Sequence, residues 1–428
     1  MNVPALRSPN AALVLDLLRT AGEAGISRLE LAERTGLTPQ AVSKITARLR
    51  SEGLATEAGH RASTGGKPRT VLRLVPTAGY AVGVHLDRDE LTTLLTDLAG
   101  AVVARRTRAV ALGEGAEPVL AAVAEEVRAL TAGFAASGTY ASEATAGPRA
   151  DHARDSTAGS HRYRVRNPAP GPRVDPVPES APGPRVDPVP ESAPGPHVDP
   201  VPESAPGSLP APVLGVGVAM PGPLDHRAGV PGRVTGFPEW DGHPVREELA
   251  RRIGLPVVLD KDTNAAALGL AVRPAAPSSF AYVHLGTGLG AGLVLGGAPL
   301  RGDRTGAGEL GHQTVQLDGP VCGCGGRGCL EVLCLAAVAR GEEAEAARIL
   351  GAGAANVVRL LDIDEVLLGG RLVLAAPEVF AGGVREVLAG LGLTAPVRVA
   401  GDRDAVAEGA AWLVLAPLFG GGSAPRAA

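Results

Sequence analysis

The first 75 residues show short apolar stripes at helical spacing, separated by residues that begin or end helices. A first helix ends near Gly22 and Gly25. A second begins at Ser27, where Glu30 has the spacing of a capping box, and ends at Gly36. The predicted buried positions are Ala12, Leu13, Leu15, Leu17 and Leu18 on the first helix and Leu29, Leu31 and Ala32 on the second.

A third amphipathic helix follows, with Thr38 as N-cap, Pro39 at its first position and Gly53 at its end. Its apolar positions are Val42, Ile45 and Leu49. Two short helices joined by a glycine turn, with polar side chains on the open side of the second, have the layout of a helix-turn-helix. The candidate DNA-binding residues on this side are Gln40, Ser43, Lys44 and Arg48, and the first three are placed to read base edges.

Two short strands, over 54–57 and 70–74, predict a wing whose basic tip lies within 59–69. Lys67 and Arg69 would lie against phosphates or in the minor groove. Residues 1–75 contain eleven Lys or Arg and six Asp or Glu, whereas the whole chain has a net charge of −4. A basic head on an acidic body favours a polyanion, here double-stranded DNA, as partner. The alternative is a small three-helix packing module with a solvated basic face.

The rest of the chain shows the strand and helix patterns of an α/β protein. The predicted elements are a hairpin of 81–86 and 91–95, a helix over 116–130, and strands over 213–218 and 256–259. Asp260 and Asp262 follow the last strand, where an α/β protein places its ligand. A glycine-rich hairpin over 282–292 has backbone amides suited to phosphate, although such hairpins are common.

Residues 136–210 differ in composition from the patterns on either side. They include three copies of a twelve-residue unit, PGPRVDPVPESA, within 170–205, and the chain has 37 prolines in all. So much proline and so few bulky apolar side chains predict a disordered, polyproline-like insertion. The alternative is a PxxP-type docking site for a partner.

All four cysteines lie within thirteen residues, at 322, 324, 329 and 334. Cys322, Cys324 and Cys329 lie on a glycine-rich loop downstream of His312, and this set of three sulfurs and one nitrogen suits closed, tetrahedral, structural zinc. Two alternatives are free buried thiols and a set of four cysteines that includes Cys334. Because Cys334 lies in an apolar run, it is predicted to be helix core instead.

Clustered cysteines of this kind indicate a reducing compartment. The N-terminus lacks an export signal, and the most apolar stretch, 283–300, is interrupted by glycines. These features predict a cytoplasmic protein without a membrane span.

These motifs resemble those of the ROK family of repressors, open reading frames and sugar kinases, and most of all its xylose- and N-acetylglucosamine-type repressors. The resemblance covers 9–135 and 211–412. The pieces that carry it are the head, PGP at 221–223, Asp260-x-Asp262-x-Asn264, GTGLGAG at 286–292, GELGH at 308–312, CGCGGRGCLE at 322–331 and LLGG at 367–370.

The resemblance implies an actin-like (hexokinase-like, ribonuclease H-like) two-lobed α/β sensor domain behind an α+β winged helix-turn-helix. The expected domains are a DNA-binding domain over 1–75, a sensor domain over 76–135 and 211–428, and the insertion over 136–210.

The same resemblance implies a sugar site formed by Asp262, Glu309, His312 and Glu331, with His312 also holding zinc. In the family's kinases the residue matching Asp262 is the catalytic base. From the residues alone, Asp262 has the alternative role of capping the helix that follows, and Glu309 and Glu331 that of orienting the zinc loop. His85 and His284 are interpreted as strand residues.

The chain departs from the family's kinases at the turn that binds ATP phosphates. Where kinases have Asp-x-Gly-Gly-Thr, this chain has His85-Leu86-Asp87-Arg88-Asp89, without a glycine and with two carboxylates. Kinase activity and ATP binding are therefore not expected. Lys261 and Gly236 replace asparagines of sugar-binding members, which suggests an unusual or acidic sugar, or a degenerate pocket.

The patterns predict a DNA-binding regulator, and the resemblance implies that it responds to a sugar, is most simply a repressor and acts as a homodimer or homotetramer. One alternative is a ROK sugar kinase with a DNA-binding head and Asp262 as its base. Another is a constitutive DNA-binding protein that has lost its ligand.

Overall fold

The computed structural model describes residues 8–61, 69–137, 212–400 and 403–421. The repeats and Lys67 lie outside the described residues. Within the described ranges, no helix has the length and apolarity that crossing a bilayer requires.

The head contains three helices and a small antiparallel sheet in the order β1-β3-β2. Ser27 caps the second helix in a complete capping box, and Thr38 caps the third through the Ala41 amide. The elements are α1 Pro9–Ala21, β1 Ile26–Ser27, α2 Arg28–Thr35, α3 Pro39–Ser51, β2 Ala55–Arg61 and β3 Arg69–Leu74. This arrangement is a winged helix-turn-helix.

Two head leucines predicted to be buried are exposed. Leu13 is 41% exposed and Leu29 is 43% exposed, whereas Val14 between the α1 leucines is fully buried. The sequence pattern assigned Leu13, instead of its neighbour Val14, to the buried side of α1. On α2 the buried side is carried by Leu31 and Ala32 alone.

The body begins with a five-stranded sheet in the order β10-β7-β4-β5-β6, which forms the first lobe. Its elements are β4 Tyr80–Leu86, β5 Glu90–Asp97, β6 Val102–Ala109, α4 Ala116–Ser137, β7 Val213–Met220, β8 Leu224–Asp225, β9 Val230–Pro231, α5 Val245–Ile253 and β10 Val257–Lys261. Strand β6 was not predicted, because its three arginines mask the alternation of apolar and polar residues that is typical of a strand. Helix α4 continues past Leu130 to Ser137.

The second lobe repeats the connectivity of the first in a sheet of order β13-β12-β11-β14-β15. Its elements, with the two helices between the lobes, are α6 Asp262–Ala271, β11 Phe280–Leu285, β12 Leu289–Leu295, β13 Ala298–Pro299, α7 Leu330–Ala339, α8 Glu343–Leu361, β14 Glu365–Gly369, α9 Arg371–Ala375, α10 Pro377–Gly390, β15 Val397–Val399 and α11 Ala405–Leu415. Helices α6 and α11 pack on each other, α6 against β12 and α11 against β4 and β7.

Candidate functional site

The exposed side of α3 carries the residues predicted to contact DNA. Gln40, Ser43, Lys44 and Arg48 are all exposed, as is Arg69 at the start of β3. The Arg48 Nε donates to a carboxylate oxygen of Glu52 at 3.0 Å, one turn along the helix. Val42 and Leu49 are fully buried on the opposite side, so packing fixes which side of α3 faces outwards.

A cluster of one histidine and three cysteines forms on the stretch of chain between β13 and α7. The ligand atoms of His312, Cys322, Cys324 and Cys329 all lie within 4.8 Å of one another. Three soft sulfurs and one imidazole are a donor set that can bind a metal ion. Cys334 lies outside this group, buried in α7, where its thiol donates to the Ala346 carbonyl at 3.6 Å.

Glycines allow the candidate metal-binding loop, residues 313–329, to fold closely on itself. A Cβ at Gly328 would lie 1.7 Å from the Gln316 carbonyl oxygen, and Gly328 has a φ of +58°. The Cys322 amide donates to the Gly326 carbonyl at 2.9 Å. The spacing of the three cysteines thus depends on a turn that only glycine accommodates.

A cleft between the lobes brings together the four residues predicted to form the sugar site. Asp262 enters it from the start of α6, Glu309 and His312 from the loop after β13, and Glu331 from the first turn of α7. His312 therefore belongs both to the cleft and to the candidate metal-binding cluster. Further residues that line the cleft, and that were not predicted to be site residues, are Arg88, Thr235 and Thr287. His284 lies in β11, as predicted, and also lines the cleft.

Lys261 is buried beside the cleft and is paired with one of these residues. Its side chain is 2% exposed, and its Nζ donates to Glu309 Oε1 at 2.8 Å and to the Ala307 carbonyl at 2.6 Å. The lysine charge is therefore compensated within the protein, as a buried charge must be. Gly222 provides the space, because a Cβ there would lie 2.7 Å from Lys261 Cδ.

The two carboxylates after β10 have different surroundings. Asp260 is 1% exposed and forms an ion pair with Arg301 at 2.6 Å, and its other oxygen accepts from the Lys261 amide and the Asn264 side chain. Asp262 is the first residue of α6 and accepts from the adjacent Thr263 amide at 2.6 Å. It does not cap α6, whose N-cap position is Lys261. Asp260 is thus a structural residue, and Asp262 faces the cleft.

Burial, with the nearby carboxylates of Asp87 and Glu309 as further causes, raises the pKa of Asp262 to about 7. Burial, followed by the charge of His85, lowers the pKa of His284 to about 4. At neutral pH the cleft thus holds a carboxyl group poised between its two protonation states and a neutral imidazole.

The glycine-rich turn between β11 and β12 uses some of its amides within the protein. The Gly286 amide donates to the Gly288 carbonyl, and the Leu289 amide donates to Glu331 Oε2 at 2.8 Å. These two amides are not available to hold a phosphate.

The chain matches two family models. Residues 204–339 match the ROK family and residues 14–56 match winged helix-turn-helix DNA-binding domains. Residues 204–339 thus carry a ROK family domain, behind a winged helix-turn-helix. The resemblance inferred from the motifs is thereby confirmed.

Among curated relatives, a putative xylose repressor of Caldicellulosiruptor sp. is 25% identical over 311 residues, covering 72% of this chain and 59% of the relative. The glucokinase of Thermotoga maritima is 41% identical over 128 residues, 29% of this chain and 40% of the relative. The chain thus spans less than two thirds of either relative.

The solved structure of a ROK family transcriptional regulator, a homologue of the E. coli MLC protein, superposes with a TM-score of 0.66 at 20% identity and covers 98% of each chain. This likeness confirms the predicted fold class, a winged helix-turn-helix followed by an actin-like, two-lobed domain.

Proposed function

We propose that this protein is a sugar-responsive DNA-binding transcriptional regulator that acts as a repressor. The observation that carries the proposal is a basic winged helix-turn-helix joined to a body whose cleft gathers Asp262, Glu309, His312 and Glu331. Relatives described as xylose repressors match over 72% of this chain. We propose a cytoplasmic location and assembly as a homodimer or homotetramer on a double-stranded operator.

In the proposed complex, α3 enters the major groove. Gln40, Ser43 and Lys44 read base edges, since they project from the exposed N-terminal half of the helix. Arg48, Arg69 and Lys67 contact phosphates or the adjacent minor groove.

The proposed effector is a sugar held by hydroxyl hydrogen bonds in the cleft. Asp262, Glu309 and Glu331 provide carboxylate acceptors, and His312 is oriented through the metal-binding loop. Because Lys261 is already paired with Glu309, its charge is not free to bind a carboxylate on the ligand. This favours a neutral sugar over the acidic sugar considered from the sequence.

The metal we propose for the cluster is Zn²⁺ in a structural role, since four protein ligands leave no open position for catalysis. It would brace the loop that carries Glu309 and His312 and the start of α7 with Glu331.

The zinc proposal predicts one zinc per chain in the purified protein. Cys329→Ser should lose the metal and melt at a lower temperature, because a structural site contributes binding free energy to folding. Cys334→Ser is the matched control and should keep the metal, since its thiol is not in the cluster. The measurement is elemental analysis with thermal unfolding, and equal metal loss in both variants would contradict the ligand set.

A sugar kinase is the second candidate, because glucokinases are among the relatives and a pKa of about 7 at Asp262 suits a general base. Against it, the turn at 87–89 offers two carboxylates and no glycine where phosphates would lie. We propose that the protein is not an enzyme and does not use ATP.

The proposed function is tested by titrating the protein onto genomic fragments at fixed salt and competing with a panel of sugars. We expect specific binding that one neutral sugar releases. Gln40→Ala combined with Lys44→Ala should abolish DNA binding, whereas Asp262→Ala should keep it and lose the sugar response. A protein that binds no fragment but phosphorylates a sugar with Mg-ATP would instead support the kinase.

A further inference from the structure

The turn between β4 and β5 reaches across the cleft to the second lobe. Thr287 Oγ1, in the β11–β12 turn, donates to Asp87 Oδ1 at 2.9 Å. Arg371 Nη1, at the first position of α9, donates to both carboxylate oxygens of Asp89 at 3.1 and 2.9 Å. Residues two positions apart in one lobe therefore contact two separate elements of the other.

The same turn is firmly attached to its own lobe. The Leu112 amide donates to the Arg88 carbonyl at 2.9 Å, and within the turn the Arg88 amide donates to Asp87 Oδ1 at 2.7 Å. The Arg88 guanidinium lies 5.6 Å from the centre of the Phe237 ring. Because of these contacts, a displacement of Asp87 or Asp89 is transmitted to the first-lobe sheet.

The charge of Asp87 is stabilised at this position. Burial alone would raise its pKa, but nearby His85, the Arg88 amide and the Thr287 hydroxyl together hold the pKa below its ordinary value. Asp87 is therefore a carboxylate at neutral pH, and its bond from Thr287 is a charge-assisted one.

On the opposite side, the β11–β12 turn is tied to α7. Glu331 Oε2 accepts from the Leu289 amide at 2.8 Å, and Glu331 follows Cys329 of the metal-binding cluster by two residues. Thr287, the partner of Asp87, therefore lies in a turn that is hydrogen-bonded to α7 close to the metal-binding loop.

We propose that the turn of Asp87, Arg88 and Asp89 is an interlobe latch. It holds the two lobes together across the end of the cleft by contacts within the protein, at the position where the resemblance to kinases would place nucleotide phosphates. The proposal depends on neither DNA binding nor sugar binding.

The two contacts contribute unequally. Asp89 and Arg371 are 57% and 45% exposed, and an exposed ion pair is screened by solvent and salt. The Asp87–Thr287 hydrogen bond is partly buried and charge-assisted, so it dominates the latch.

The latch is tested by hydrogen exchange of the full chain, comparing Thr287→Val, Arg371→Ala and the double variant with the parent protein. Both changes are in the second lobe, and the readout is the first-lobe segment 86–91. We expect its amides to exchange about tenfold faster in the double variant, with most of the effect from Thr287→Val.

Arg385→Ala is the matched control, because Arg385 is exposed on α10 and has no ion-pair partner among the residues that the structure describes. Exchange in 86–91 that is as slow in the double variant as in this control would overturn the latch.

Reversing the two charges of the Asp89–Arg371 ion pair provides an independent check on this contact. Asp89→Arg should speed exchange in 86–91 at low salt, and adding Arg371→Asp should restore it. If the doubly reversed chain exchanges as fast as Asp89→Arg alone, the contact does not join the lobes.

Discussion

At the scale of single residues, Asp260 and Asp262 show how neighbours divide two carboxylates between structure and chemistry. Asp260 has Arg301 and Asn264 as partners and is almost fully buried. Asp262 has one amide donor and faces other carboxylates, which leaves its charged form poorly compensated. Spacing after the strand predicted a pair of carboxylates there, but only the surroundings distinguish their roles.

The raised pKa of Asp262 predicts a specific pH dependence of stability. The folded state holds this proton with a pKa of about 7 against an ordinary value of 3.8, so the stabilisation is complete below pH 3.8 and is lost as the pH rises through 7. Asp262→Asn removes this contribution, on the order of 2 to 4 kcal/mol. The melting temperature of the parent should therefore fall relative to that of Asp262→Asn between pH 5 and 8.

Thermal unfolding across that pH range checks the prediction. Asp303→Asn is the matched control, because Asp303 is an exposed loop residue and is not one of the described residues that line the cleft. A parent and an Asp262→Asn protein with parallel pH profiles would show that Asp262 carries no such proton.

At the scale of elements, α6 and α11 meet backbone to backbone between the lobes. A Cβ at Gly409 would lie 1.9 Å from the Ala265 carbonyl oxygen, and one at Gly217 would lie 1.8 Å from the Ala410 carbonyl. Glycine at these contacts lets α11 lie directly on α6 and on the first-lobe sheet. Because Asp262 begins α6, this packing also sets the position of the candidate base or sugar ligand.

Gly409→Ala should destabilise the protein by about 2 to 4 kcal/mol, because the added methyl overlaps a backbone carbonyl that cannot move alone. Gly382→Ala in α10 is the matched control, since its Cβ would meet nothing within 4 Å. Helix propensity predicts that the control is slightly stabilised, by about 0.5 to 1 kcal/mol. Urea unfolding of both variants gives the comparison, and two equal values would refute the close contact.

At the scale of the whole molecule, the head and the body share one apolar core. Leu15 and Leu18 of α1 belong to the same cluster as Trp412 of α11 and Phe419 after it. Arg19 lies over the rings of both aromatic residues, 4.9 and 5.3 Å from their centres.

Arg19 also links the head to the far end of α6. Its Nη2 donates to the Val272 carbonyl at 3.1 Å, immediately after the helix that begins at Asp262. The head is therefore positioned by the helix whose other end lines the cleft. In the proposed regulator this contact would let lobe movement reach the DNA-binding surface.

Arg19→Ala should weaken this attachment, since it removes a charge-assisted hydrogen bond and two cation–π contacts, together about 2 to 4 kcal/mol. We expect calorimetry to show an earlier, separate transition of the head, where the parent unfolds in one step. Arg34→Ala, exposed on α2, is the control. A single unchanged transition in Arg19→Ala would mean that the head docks without this residue.

Much of this protein was determined by local sequence. Caps at Ser27 and Thr38 and glycines at helix ends predicted the head, because these residues satisfy backbone groups within a few positions of themselves. The cluster of His312 and three cysteines was predictable for the same reason, since three of its four members lie on one short loop. The prediction that Leu13 and Leu29 are buried was wrong, because burial depends on what packs against a helix.

Only the tertiary structure decided the long-range contacts. No local pattern pairs Lys261 with Glu309, Asp89 with Arg371, or Arg19 with the Val272 carbonyl, since each pair is separated by tens to hundreds of residues. Such pairs form where the folded backbone brings distant segments together, and burial then sets their charges. Local propensity thus determined the elements and the candidate ligands, while packing decided which of their charges remain available to a ligand.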